Sequence, residues 1–430
     1  MDKFIRILQK YKLLTVVVLI AGMAIIAALN ADTISAPTIT APAVTTTIAP
    51  VITATAVPTA AATAVPIIDP TQAAEDSRYD YDLYSLDFLD DMNGWVILWN
   101  YNDPLVRNKT SLLHTADGGA HWETYENQDC LLQKAAFADP EVGWAIALEG
   151  HPGLSDGSIV TYQILRTTDG GKNWSLQYSC SAEYGISCEI AVYDKGSACA
   201  VIGGQVYRTE DSGENWNLVE RMAAGFTAEH VFFANETQGW ISGVIKTGGS
   251  SKVDTAADSS NHYTVSLFHT ADGGRSWQQQ FSEDCKNEWN ETIGISFADA
   301  KNGWFLTCNY GTFDGELYHT RDGGIQWDRI SKLSVCRPYA QKVEAVTPEV
   351  LWIPMHNGAG PIDGGLLHSE DGGKNFNMLG SEADIVNSND VDFVSASLGW
   401  AVSNGYPGED KYLIRTVDGG KTWEKVLLTP

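Results

Sequence analysis

The chain has 430 residues and a formal net charge of −26. That length accommodates one large domain with appendages. The acidity excludes nucleic acid as a natural partner, because phosphate binding needs a basic patch. It suits solubility, a cationic partner or divalent ions instead.

Lys3, Arg6, Lys10 and Lys12 precede an apolar stretch of 17 residues, Leu13 to Leu29, and Asp32 follows it. Basic residues before the stretch place the N-terminus in the cytoplasm and the remainder outside. Residues 1–12 therefore read as a basic cytoplasmic segment. Residues 13–31 read as a transmembrane anchor or a signal peptide, with Ala31 a candidate cleavage position. Residues 32–78 read as a disordered stalk: from Thr33 to Ile68 there is no charged residue, only Thr, Ala, Pro, Val, Ile and Ser. A spacer favours the retained anchor, since a freely secreted protein needs none. The expected location is membrane-anchored and extracytoplasmic, at the cell surface, or secreted if the segment is cleaved.

Over residues 79–430 two phrases alternate. One, Thr/Ser-x-Asp-Gly/Ser-Gly-x-x-Trp/Phe, occurs seven times. Its aspartates are Asp117, Asp169, Asp211, Asp272, Asp322, Asp371 and Asp418, at intervals of 42 to 61 residues. Its closing aromatics are Trp122, Trp174, Trp216, Trp277, Trp327, Phe376 and Trp423. The other, Phe-x-x-x-x-x-Gly-Trp, ends at Trp95, Trp144, Trp240, Trp304 and Trp400, with a worn copy ending at Trp352 and another near Tyr193 to Val201. A period of this size means a repeat architecture. Short β-branched and aromatic runs bounded by Gly, Asp, Asn and Pro are the strand signal. Unit two shows four: Leu132–Ala138, Gly143–Leu148, Tyr162–Arg166 and Trp174–Tyr178. Four strands per unit and seven units predict an all-β, seven-bladed propeller of antiparallel blades.

In the acidic phrase, Asp accepts backbone amides in a turn, Gly supplies positive φ, and the Trp ring packs beneath with an indole N–H that needs a partner. A carboxylate so engaged is held ionised and is structural rather than catalytic.

These phrases resemble the Asp-box, or BNR, repeat of sialidases, xyloglucanases and sortilin-type receptors. The pairing of Gly-Trp with Arg/His-Thr-x-Asp-Gly-Gly-x-x-Trp is most similar to the photosystem II assembly/stability factors and their bacterial relatives. The resemblance implies a propeller over about 350 residues, a structural box and a docking role on a membrane-protein partner. The arginine-rich patch of that family has no evident counterpart here. The Arg-Ile-Pro signature of sialidases is absent as well.

His114, His269, His319 and His368 share one repeat position with Arg166, Arg208 and Arg415, so they serve the repeat rather than a common metal. No metal or cofactor is expected. Binding is expected on the loops joining second to third strands, which vary most between units. The candidate face comprises Tyr101, Asp103, Arg107, His151, Asp156, His262, Tyr263, Tyr310, Asp314, Glu316, His356, Asp363, Tyr406 and Asp410. Tyr and acidic side chains suit a protein or carbohydrate partner outside the membrane. The alternatives are a carbohydrate-active hydrolase, sialidase- or xyloglucanase-like, using loop-face carboxylates, and a purely structural cell-surface protein. Seven cysteines include Cys130, Cys180, Cys285 and Cys336, expected just after fourth strands, and Cys308 near the end of a second strand. Cys285 and Cys308 form a candidate disulfide.

Overall fold

The computed structural model describes residues 81–426, except 101–108, 128–129, 150–157, 220–221, 248–261, 286–289, 310–313, 334–339, 341, 356–364, 380–384, 386–387 and 405–410. The apolar stretch, the stalk and Cys336 lie outside the described residues. Among the described residues no helix is long and apolar enough to cross a membrane.

Among the described residues twenty-eight strands, numbered β1–β28 in chain order, form seven four-stranded antiparallel sheets of four consecutive strands each. Blade one is β1 (Tyr81–Phe88), β2 (Gly94–Asn100), β3 (Lys109–Thr115) and β4 (Glu123–Asn127). The first strands of the other blades are β5 (Cys130–Phe137), β9 (Cys188–Val192), β13 (Phe226–Phe233), β17 (Asn290–Phe297), β21 (Glu344–Ala345) and β25 (Val391–Phe393). Each contacts the first strand of the next blade, and β25 contacts β1, so the ring closes.

The Phe-x-x-x-x-x-Gly-Trp phrase builds the joints between blades. Within a blade, the Phe ring lies over the Gly: a Cβ on Gly94 would meet the Phe88 ring at 2.2 Å. The Trp then stacks on the Phe of the following blade. Trp95 meets Phe137 at 3.7 Å, Trp240 meets Phe297 at 3.8 Å, and Trp400 meets Phe88 at 3.8 Å across the closure. Stacked aromatic pairs add to ordinary apolar burial. Trp95, Trp144, Trp240, Trp304, Trp352 and Trp400 are all fully buried. The shared His/Arg position packs on the same rings. His319 stacks on Trp304 at 4.1 Å, His368 on Trp352 at 3.9 Å, and the Arg166 guanidinium lies over Trp144 at 5.2 Å.

Some details differ from the reading above. Strand β8 (Ser175–Glu183) starts after Trp174 and runs further, because its register with β7 (Ile159–Thr167) continues to Glu183. Cys130 opens β5 and Cys180 lies inside β8, so neither sits in a connection. The shortest connection, Gly203–Gly204, has φ of 59° and 75°, as a two-residue hairpin turn requires.

Candidate functional site

The seven boxes repeat one geometry. The Thr or Ser hydroxyl donates to Asp Oδ1 at 2.8–2.9 Å. The backbone N–H four residues after the Asp donates to the same oxygen at 2.9 Å. In six boxes a side chain engages Oδ2: His121, Asn173, Asn215, Ser276, Asn375 or Thr422. The N–H of the residue after the Asp reaches a carbonyl in the turn between first and second strands of the same blade, as Gly170 does to Glu141. That residue has φ near +70° in every box, and Ser212 is the one non-glycine there, with φ 62°. A Cβ on Gly118 would meet the Asp91 carbonyl at 2.6 Å, which explains the glycine. All seven carboxyls are held below their ordinary pKa, Asp272, Asp371 and Asp418 down to about 2, chiefly by hydrogen bonds from the residue four positions on. The closing Trp does not always satisfy its N–H. Trp122 and Trp277 donate to Gly119 and Gly274 carbonyls, whereas Trp174, Trp216, Trp327 and Trp423 have no acceptor among the described residues. Packing against the turn, more than hydrogen bonding, keeps the ring in the phrase.

Most of the expected loop face, namely Tyr101, Asp103, Arg107, His151, Asp156, Tyr310, His356, Asp363, Tyr406 and Asp410, lies outside the described residues. Three of the others are strand residues. His262 and Tyr263 open β15 (His262–Thr270), and Glu316 lies in β19 (Gly315–Thr320), because these hairpins zip further than composition suggested. The side chain of His262 is not described. Lys246 lies over the Tyr263 ring at 5.9 Å. Glu316 pairs with Arg329 at 2.8 Å and accepts from Tyr318, while Asp314 pairs with Lys332 at 2.7 Å. Cys308 is buried in β18 (Gly303–Asn309); the Cys285 side chain, at the end of β16 (Gln278–Cys285), is not described.

The structure assembles a charged axis that motif reading missed. In register terms, the residue three before the strand-end Phe position is Lys134, Glu189, His230, Lys342 or Asp390 in five blades. The residue one before it is Asp87, Glu344 or Asp392 in three. Bulges in β1, β5, β13 and β17 insert Tyr84, Gln133, Glu229 and Ile293 just ahead of these positions. A bulge re-aims a side chain and twists the strand. The detectable signal was a charge one or three residues upstream of the strand-end Phe position.

Many of these carboxyls cap the open edge of the neighbouring first strand. Asp87 accepts from Phe137 N at 2.8 Å, Asp392 from Phe88 N at 2.7 Å, Asp390 from Leu86 N at 3.0 Å, and Glu229 from Thr292 N at 2.8 Å. His230 bridges Glu189 at 2.8 Å and the Thr292 carbonyl at 2.8 Å. Lys342 pairs with Asp390 at 2.9 Å and Glu344 at 3.4 Å. Burial pushes Glu229 up to about 7, with Glu291 adding. Burial also raises Asp87 well above the carboxylate range, with Asp392 adding. For Asp390 burial is outweighed by Lys342 and Lys134, which hold its carboxyl below the ordinary range.

Two cavities lie along this axis and share Glu189 and His230. One, about 400 Å³, is lined by blades three to seven and includes Lys342, Glu344 and Phe393. The other, about 590 Å³, is lined mainly by blades one to four, with Tyr84, Trp99, Lys134, Tyr162, Tyr184 and Glu229. Among the described residues no group of three or more His, Cys, Asp or Glu could hold a metal ion.

Ring, blades and boxes together define an Asp-box β-propeller. Residues 74–246 match the family model described as photosynthesis system II assembly factor YCF48, and the likeness to that family read from the repeats is thereby shown. No curated protein matches the chain. A solved structure of YCF48 bound to D1 peptide is 22% identical, with a TM-score of 0.50 over 79% of this chain and 94% of that one. A polysaccharide lyase, an ulvan lyase, is 9% identical, with a TM-score of 0.50 over 81% of this chain and 97% of that one. The GH74 xyloglucanase of Xanthomonas campestris is 14% identical, with a TM-score of 0.42 over 80% of this chain and 60% of that one. At their identities the likeness to the YCF48 and ulvan lyase structures is one of fold.

Proposed function

We propose that this protein is a membrane-anchored, extracytoplasmic propeller that binds a protein partner as an assembly module, without catalysing a reaction. The match of residues 74–246 to the assembly-factor family model carries the reading. The structure with that fold holding a D1 peptide supports it. The box carboxylates support it as well, since each is engaged within its own turn. The basic segment, apolar stretch and uncharged stalk support the anchor. The strong acidity separates the partner from one that a basic patch would hold. The test is a pull-down from native membranes with the intact protein, followed by identification of what is retained. A single enriched membrane protein is the expected result. Turnover of sialosides or β-glucans, abolished by one carboxylate substitution, would replace this reading with a hydrolase.

A further inference from the structure

The cavity of about 590 Å³ brings together donors that the fold leaves without acceptors. Lys134 is a base of the axis whose ammonium has no ion pair or hydrogen bond among the described residues; it lies 5.9 Å from the Tyr84 ring centroid. The other axial lysine is fully engaged: Lys342 pairs with Asp390 and Glu344. The hydroxyls of Tyr84 and Tyr184, lining the same cavity, also have no hydrogen-bond partner among the described residues. Tyr84 stacks on Trp99 at 4.9 Å, and Trp99 donates its indole N–H to the Leu132 carbonyl at 3.1 Å, so this wall is fixed. Among the described residues no carboxylate stands within ion-pair distance of this half-buried ammonium, and Asp390 and Glu189 act on it only from further off, so its N–H donors stay open to a ligand.

We infer that this cavity binds a carboxylate-bearing peptide segment of the partner, with Lys134 as counter-ion, the Tyr84 and Tyr184 hydroxyls as donors, and the Trp99 face against the neighbouring side chain. A monoanion fits better than a phosphate dianion, because Glu189, Glu229 and Asp390 stand nearby. Asp390 and Glu189 also keep Lys134 protonated: burial lowers its pKa, but these two carboxylates and Tyr84 outweigh burial. Glu229 faces His230 on its own strand and Thr292 and Glu291 of β17, and Glu189 of β9 engages that His230; Thr292 engages only Oε2 of Glu229. With a pKa of about 7 it is half-protonated at neutral pH, so an arriving anion draws a proton onto it.

The inference deepens the partner-binding reading and rests on it, yet the two fail separately. The probe is acetyl-Gly-Tyr-Ala with a free carboxylate, compared with its C-terminal amide, titrated calorimetrically into the full chain in detergent. The acid should bind at least about tenfold more tightly than the amide. Lys134→Met should abolish that preference, and Lys134→Arg should largely restore it. Titration in two buffers of different ionisation enthalpy should show net proton uptake at pH 7, lost in Glu229→Gln while binding persists. Equal binding of acid and amide, or a preference that survives Lys134→Met, overturns the inference. Proton release overturns it too, and assigns the cavity to a cation. In the membrane pull-down, retention of the same protein by wild type and Lys134→Met sinks this inference and leaves the module standing. Retention by neither sinks the module itself.

Discussion

Replacing Asn404 by Leu tests how the ring is held shut. Among the described residues, blade one is β1–β4 and blade seven β25–β28 (Glu424–Val426), and no strand is shared across the closure. Side chains do the joining. Asn404 mimics a strand: its Oδ1 accepts from Leu83 N at 3.0 Å and its Nδ2 donates to the Leu83 carbonyl at 3.0 Å. Leu83 is 0% exposed and Asn404 3%, so water does not replace these bonds. Asn389 also donates to the Leu83 carbonyl, at 3.1 Å. The substitution therefore orphans the N–H fully, at about 1–3 kcal/mol, and weakens the carbonyl's satisfaction by about 1 kcal/mol. A loss of about 2–4 kcal/mol is expected. Asn389→Leu, which leaves Asn404 in place, should cost about 1 kcal/mol or less. Denaturant unfolding followed by tryptophan fluorescence measures both. An Asn404→Leu loss no greater than that of Asn389→Leu would refute the argument, leaving closure to the Phe88–Trp400 stack and to the Asp390, Asp392 and Lys411–Asp82 contacts.

Asp169→Ala removes acceptors from Thr167, from Asn173 N at 2.9 Å and from its side chain at 2.7 Å; the turn is partly exposed, so a cost of about 1–2 kcal/mol is expected. An unchanged melting temperature would count against the structural role of the box. Burial, with Arg321 adding, lowers the pKa of His319 to about 4. Its unfolded value is higher, so its contribution is complete above about pH 6.5 and is lost as pH falls toward 4. His319→Phe should shrink the fall in melting temperature over that window; identical falls would defeat the assignment. Glu229 has the opposite sign. Its pKa is raised to about 7, so its contribution is complete below its unfolded value and is lost as pH rises through 7. Glu229→Gln should therefore be more stable than wild type at pH 8, by a margin that closes near about pH 4.5. A margin independent of pH would show that Glu229 titrates normally.

The sequence by itself determined the blade count, the strand order within each blade and the box geometry. All are local: Thr115, Asp117, Gly118 and Gly119 lie within one turn, and their hydrogen bonds span four residues or fewer, apart from the tie to the adjacent turn at Met92. Period and turn chemistry suffice for that. What only the tertiary structure decided is what the ring encloses. Lys134, Glu189, Glu229 and Asp390 lie on four blades; the register position that Lys134, Glu189 and Asp390 share does not tell that they meet. Closing the ring turns their strands toward one axis, where their charges meet at low solvent exposure. The Trp95–Phe137 stack has the same origin, since each half of it belongs to a different sheet.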